Sequence, residues 1–168
     1  MNQRYLIALG SNQRHVRLGA PEQVLVAALR ELDRKGLTLV ASAKTVRSAP
    51  LGPSRRRYAN SAALVNSKLD PPELLARLKR IEARFGRRRN GQRWTARVLD
   101  LDIVLWSGGF WSSPGLSVPH PEFRGRSFVL TPASAIAGIW RDPVTGLSLR
   151  HLQARLTRPR PAPRGSAA

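Results

Sequence analysis

The sequence predicts an α+β fold, a ferredoxin-like β-α-β-β-α-β sandwich with a few extra short strands and helices at the C-terminal side. Apolar runs of strand length alternate with stretches in which apolar residues recur every three or four positions, in the order strand, helix, strand, strand, helix, strand. Glycine, proline and asparagine fall between these segments, where the chain has to turn. Such an order suits an antiparallel sheet carrying two helices.

Tyr5-Leu6-Ile7-Ala8-Leu9 reads as a buried strand that enters a turn at Gly10-Ser11-Asn12. Val24, Leu25, Ala28, Leu29 and Leu32 then recur at helical spacing, with Pro21 and Glu22 suited to a first turn and Gly36 to a stop. Leu37 to Val46 and Tyr58 to Ser67 are β-like. The separator from Arg47 to Arg57 holds two prolines, one glycine and three consecutive arginines, and reads as an exposed loop.

Asp70-Pro71-Pro72-Glu73 combines an N-cap, a proline at the first helical position and an acid three residues after the cap. Leu74, Leu75, Leu78, Ile81 and Phe85 form the buried stripe of this second helix, and Gly86 ends it. Val98 to Trp106 is the next strand. Beyond a turn at Ser107 to Trp111, Leu116 to His120 and Ser127 to Leu130 read as short strands, and Thr131 to Ile139 and Leu147 to Leu156 as small helices. Residues 1–156 are expected to form one domain, and the basic, proline-rich 157–168 a disordered tail.

Composition narrows the function classes. A 42% hydrophobic content is enough for a proper core, and the absence of cysteine excludes disulfides, zinc thiolates and a cysteine nucleophile. No signal peptide is evident at Met1-Asn2-Gln3-Arg4, and no apolar run approaches membrane-spanning length, so a cytoplasmic protein with no membrane partner is expected. The net charge of +19 attracts polyanions without choosing among nucleotide, nucleic acid and lipid. Monomer is the default expectation.

The chemistry concentrates between Arg93 and Asp102. Alternation along the strand from Val98 to Trp106 puts Leu99, Leu101, Ile103 and Leu105 on one side and Asp100 and Asp102 on the other. Two carboxylates roughly 7 Å apart at their Cα atoms can converge on one or two Mg²⁺ ions that keep open positions for substrate phosphates. Alternatively, they pair with neighbouring arginines on a solvated face. Arg84, Arg87, Arg88, Arg89, Arg93 and Arg97 precede them in a segment broken by Gly86, Asn90 and Gly91, and arginine makes permanently charged, bidentate contacts to phosphate.

Further motifs stand in register with this one: Ala8-Leu9-Gly10-Ser11-Asn12; Ser48-Ala49-Pro50-Leu51-Gly52-Pro53 leading to Tyr58-Ala59-Asn60; Arg80-Ile81-Glu82 with Gly86-Arg87; Val118-Pro119-His120-Pro121; and Arg126-Ser127-Phe128-Val129-Leu130. Together they resemble the 6-hydroxymethyl-7,8-dihydropterin pyrophosphokinases, folate-pathway enzymes that transfer diphosphate from ATP to a pterin alcohol. The resemblance runs from about Tyr5 to Leu152. It implies that Asp100 and Asp102 hold two Mg²⁺ ions bridging the ATP phosphates, and that Arg87, Arg89, Trp94, Arg97, Ser117, His120 and Arg126 line the triphosphate. Arg87 and Arg97 would act with the two aspartates in catalysis. The pterin would lie between Tyr58 and Phe128, with Asn60 and the backbone around Ser48, Ala49 and Leu51 reading its polar edge. The chain departs from the family pattern at Thr95, where a small residue is usual, and from some relatives at Lys79 and Gly115.

A basic ferredoxin-like RNA-binding module is the rival from another class, since such sheets stack bases on exposed aromatics. No strand here carries the aromatic run expected of one, and paired aspartates repel a phosphate backbone. The expected partner is therefore a small pterin rather than a specific nucleic acid.

Overall fold

In the computed structural model, which describes residues 1–49, 57–86 and 98–159, the apolar run near the N-terminus forms the central strand β1 (Gln3–Ser11). Further strands are β2 (Leu37–Ser42), β3 (Val46–Ser48), β4 (Tyr58–Ser67) and β5 (Asp100–Trp106). The main sheet has the order β2-β4-β1-β5, with β3 also paired to β4 and every pairing antiparallel. Gly10 and Ser11, expected to turn, stay in β1 opposite Asn60 and Ala59. The expected strand over Leu37 to Val46 is split, and Arg47 and Ser48, expected in a loop, pair with Ala59 and Tyr58.

Two crossover helices, α1 (Pro21–Glu31) and α2 (Pro71–Arg84), cover one face of the sheet. Val24, Leu25 and Ala28 of α1 and Leu74, Leu78 and Ile81 of α2 pack there with Tyr5, Ile7 and Leu9 of β1. The cap of α2 is the expected reciprocal one: the Glu73 amide donates to Asp70 Oδ1, and the Asp70 amide donates to Glu73 Oε2, each at 2.9 Å. Beside it, the buried Tyr5 hydroxyl donates to the Leu69 carbonyl at 2.6 Å, tying β1 to the entry of α2. Burial raises the pKa of this hydroxyl, and Asp70 and Glu73 add to the rise. Tyr5→Phe leaves that carbonyl without its donor and should cost about 1–2 kcal/mol. A thermal melt should show the midpoint lower by roughly 2–6 °C.

The opposite face is partly covered by α3 (Ser127–Ala137) and α4 (Leu149–Thr157), preceded by a 3₁₀ turn, Phe123–Gly125. Ser127 to Leu130, expected as a strand, is the first turn of α3. The Val129 and Leu130 amides both donate to the Arg126 carbonyl, at 3.0 and 2.9 Å. Leu130, Ala133 and Ala137 can then share one buried stripe with Phe123, Leu149 and Leu152. Thr157, expected to open the tail, closes α4, and residues 160–168 lie outside the described residues.

A bulge in β5 changes which core its residues enter. Leu6 pairs with Leu105 and Ile7 with Ile103, so Val104 is an extra residue and the alternation slips by one. Leu99, Leu101 and Ile103 enter the core under α1 and α2, as expected. Leu105, expected beside them, instead joins Leu6 and Val104 in the core under α3. β6 (Trp111–Ser113) and β7 (Leu116–Val118) form a separate hairpin, with Gly115 in its turn at φ +77°, a conformation that favours glycine. No helix among the described residues is long and apolar enough to cross a membrane.

Candidate active site

Where α3 stops covering the second face, a cavity of about 360 Å³ opens. It is lined by residues from separate stretches of the chain, which only the fold brings together. β1 contributes Ala8 and Gly10 at the floor, and the end of β3 contributes Ser48. From β4 come Tyr58 and Asn60, and from β5 come Asp100 and Asp102. The wall leading into α3 adds Glu122, Arg126, Phe128 and Val129.

Local structure explains each placement. Asp100 and Asp102 stand opposite Gly10 and Ala8 in the ladder, and neither neighbour has a side chain large enough to cover a carboxylate. Alternation keeps both aspartates off the helix face, which Leu99, Leu101 and Ile103 fill. Asn60 is buried, and its Nδ2 donates to Ser48 Oγ at 2.9 Å, so the pairing of β3 with β4 orients the amide. A cation ends the opposite wall: the Arg126 guanidinium lies 5.9 Å from the centre of the Phe128 ring and forms an ion pair with Glu122. The site thus has carboxylates on one strand, an arginine from another element in the same lining, and two aromatic residues, Tyr58 and Phe128, from separate elements.

Behind β5, on the helix face, sits a further carboxylate. Glu82 is fully buried, 3.0 Å from Lys79 Nζ, and accepts from the Leu101 amide at 2.8 Å. Burial pushes its pKa up, the Lys79 ammonium and the Leu101 amide pull the other way, and Asp100 adds to the rise. Glu82 therefore fixes α2 to the strand between the two aspartates. Lys79, one of the departures from the family pattern, is engaged in that contact.

The expected site residues Ser48, Tyr58, Asn60, Asp100, Asp102, Arg126 and Phe128 all line the cavity. Ala49, Ser117 and His120 do not. Ala49 is exposed just beyond β3, and Ser117 is exposed on β7. His120 is a turn residue whose Nδ1 accepts from the Glu122 amide at 3.2 Å, while its own amide donates to the Val104 carbonyl at 3.0 Å. Leu51, Arg87, Arg89, Trp94 and Arg97 lie outside the described residues. Glu122 was not anticipated as a site residue. Its position four residues before Arg126 was the available signal.

Residues 6–138 match the model of the family described as 7,8-dihydro-6-hydroxymethylpterin-pyrophosphokinase. The chain is 40% identical over 145 residues to the 2-amino-4-hydroxy-6-hydroxymethyldihydropteridine pyrophosphokinase of Pseudomonas aeruginosa, which covers 85% of this chain and 86% of the relative. With the enzyme of the same name from Haemophilus influenzae, identity is 39% over 133 residues, covering 78% of this chain and 79% of that one. Among solved structures, the wild-type HPPK-DHPS of Plasmodium falciparum with SDX-DHP superposes with a TM-score of 0.73 at 12% identity, a likeness of fold. The match covers 92% of this chain but only 44% of that longer one.

Proposed function

The chain belongs to the 7,8-dihydro-6-hydroxymethylpterin-pyrophosphokinase family, and on that premise we propose that it transfers diphosphate from ATP to the hydroxymethyl group of 6-hydroxymethyl-7,8-dihydropterin, releasing AMP, as a step of folate synthesis. The observation that carries this reading is the meeting of Asp100 and Asp102 with Tyr58, Asn60, Phe128 and Arg126 around one cavity. That set offers a place for a flat heterocycle beside a place for metal-bound phosphates.

The aromatic rings of Tyr58 and Phe128 hold the pterin by its faces, and Asn60 with Ser48 reads its polar edge. Arg126 attracts the polyphosphate and offsets charge that builds as the pterin oxygen attacks the β-phosphorus and AMP departs. Holding both reactants in line is the larger part of the task, because it makes a bimolecular step effectively unimolecular. Arg87, Arg89, Trp94 and Arg97 are proposed to complete the triphosphate contacts, and Ser117 and His120 to contribute from the β7 side.

The residues present fit Mg²⁺. β5 brings two carboxylates to the cavity, the third lining carboxylate, Glu122, is paired with Arg126, and no group of three or more His, Cys, Asp or Glu that could hold a metal occurs among the described residues. An oxygen donor set this small suits a hard cation that keeps water and completes its shell with substrate phosphates. We assign two Mg²⁺ to Asp100 and Asp102; when bound, the ions neutralise phosphate charge and polarise the reacting phosphoryl group.

An RNA-binding role finds no support in this geometry. Part of the sheet face on which such a module stacks bases is here packed against α3, and the open part carries Asp100 and Asp102. We further propose a monomeric enzyme that works in the cytoplasm, where its co-substrate ATP is found. The activity is tested by incubating the protein with Mg²⁺, ATP and the reduced hydroxymethylpterin. Pterin-dependent AMP is expected; ADP, or no pterin-dependent product, would overturn the assignment.

A further inference from the structure

Asp142 takes no part in the cavity lining, yet it is fully buried and accepts five hydrogen bonds. Arg124 grips it with both arms of the guanidinium, Nε to Oδ2 at 2.8 Å and Nη2 to Oδ1 at 2.7 Å. Thr145 Oγ1 donates to Oδ2 at 2.6 Å, and the Val144 and Thr145 amides donate at 3.2 and 3.3 Å. Burial pushes this carboxyl up, but the bonds from Arg124, Thr145 and Val144 outweigh it and hold the pKa below the usual range. A carboxylate taken out of water without such partners would cost several kcal/mol, on the order given by buried-charge estimates.

Both ends of this contact are fixed. The Asp142 amide donates to the Leu147 carbonyl at 2.9 Å, and the Gly146 amide donates to the Asp142 carbonyl at 2.8 Å. Around that turn, the Leu149 and Arg150 amides of α4 donate to the Trp140 and Gly138 carbonyls, each at 3.0 Å. Arg124 sits in the 3₁₀ turn Phe123–Gly125, between the cavity residues Glu122 and Arg126. Its guanidinium lies 4.7 Å from the centre of the buried Phe123 ring. The Arg126 amide donates back to the Phe123 carbonyl at 3.2 Å, so the orientation of this turn sets where Arg126 leaves the backbone.

We infer that Arg124 and Asp142 are a positioning pair for Arg126: the bidentate contact splints the turn from behind, so that the Arg126 guanidinium is presented to the polyphosphate at the carboxylate side of the cavity. A fork-to-fork pair fixes angle as well as distance, which a single ion pair does not. Asp142 lies beyond residues 6–138, the segment that carries the family match, while its partner Arg124 lies within it, so the splint joins the C-terminal part of the chain to that segment. Its catalytic consequence rests on the pyrophosphokinase reading, whereas its structural part does not.

Two measurements on Asp142→Asn test the pair, with Thr145→Val as the milder variant that keeps the Arg124 contact and removes the hydroxyl, which donates to Asp142 and accepts from the Leu147 amide. Amide hydrogen exchange at Arg126 and Val129 should quicken at least about tenfold in Asp142→Asn, while Ile7 in the core of β1 is unchanged. In the AMP assay kcat/KM should fall about tenfold or more, with a smaller fall in Thr145→Val. In an Arg126→Ala background, Asp142→Asn should cost less than about twofold further, because a residue acting through Arg126 has nothing left to position. Unchanged exchange at Arg126 and Val129, or losses that multiply across the two sites, would overturn the inference. Absence of pterin-dependent AMP from the unmodified protein would instead remove the reaction assignment, and the exchange result would still decide whether the splint exists.

Discussion

Asp102→Ala should lower kcat at least about a hundredfold, and Asp100→Ala similarly, with the thermal midpoint within a few degrees of the parent. The loss is large because the two aspartates are the only carboxylates that β5 presents to the cavity, and a hard cation needs both for its share of protein oxygens. The fold should survive because alanine keeps the backbone pairing of both positions with Gly10 and Ala8, and both side chains are only partly buried. Steady-state AMP release beside a melting curve measures both halves of this expectation. Turnover within threefold of the parent in either variant would mean that metal is not held there. A second reading comes from Mg²⁺ titration: the half-saturating concentration should rise in both variants, whereas a misfolded site would lose rate without moving it.

Asn60→Ala should act on the other substrate. The amide is buried beside Ser48, so its removal leaves a polar partner without its donor, a loss of about 1–3 kcal/mol if the pterin edge is read there. That corresponds to roughly a tenfold to hundredfold fall in kcat/KM for the pterin. The KM for ATP should move by less than about twofold, since Asn60 stands with Tyr58 on β4 and the carboxylates stand on β5. Equal losses for both substrates would indicate that Asn60 only holds β3 against β4.

Much of the fold could be read because its signals are local. The stripe of α2 and its Asp70–Glu73 cap are both written within one helix, and both are present. What escaped reading depends on partners distant in sequence. Arg47 and Ser48 look like loop residues until Ala59 and Tyr58 lie alongside to take their backbone bonds. Phe128, Val129 and Leu130 have strand-like composition, but the helical bonds to the Arg126 carbonyl and the core beneath α3 override that preference. Val104 and Leu105 are both apolar, so nothing in their identity says which face either takes.

The site follows the same division. As cavity residues, Asp100 and Asp102 were legible because their alternation with leucine is local, and Tyr58, Asn60 and Phe128 only through the family resemblance of the motifs that hold them. Glu122 was hidden by its setting in a proline-bounded turn, where a charged residue usually only faces water. Asp142 was hidden for a different reason: its partner Arg124 is one arginine among 25 in the chain, and only the folded geometry separates it from bulk charge.

The extra residue in β5 makes the proposed reaction centre a seam between two separately adjustable halves. Ahead of Val104, the strand that bears the carboxylates is rooted among α1 and α2; beyond it, Leu105 is rooted beneath α3, the helix that bears Phe128 and Val129. Exchanges of aliphatic side chains beneath α3 therefore reshape the aromatic side of the cavity while the spacing of Asp100 and Asp102 stays with the other half. Drift in this sequence has a route to retune the side proposed to grip the heterocycle without disturbing the side proposed to handle phosphate.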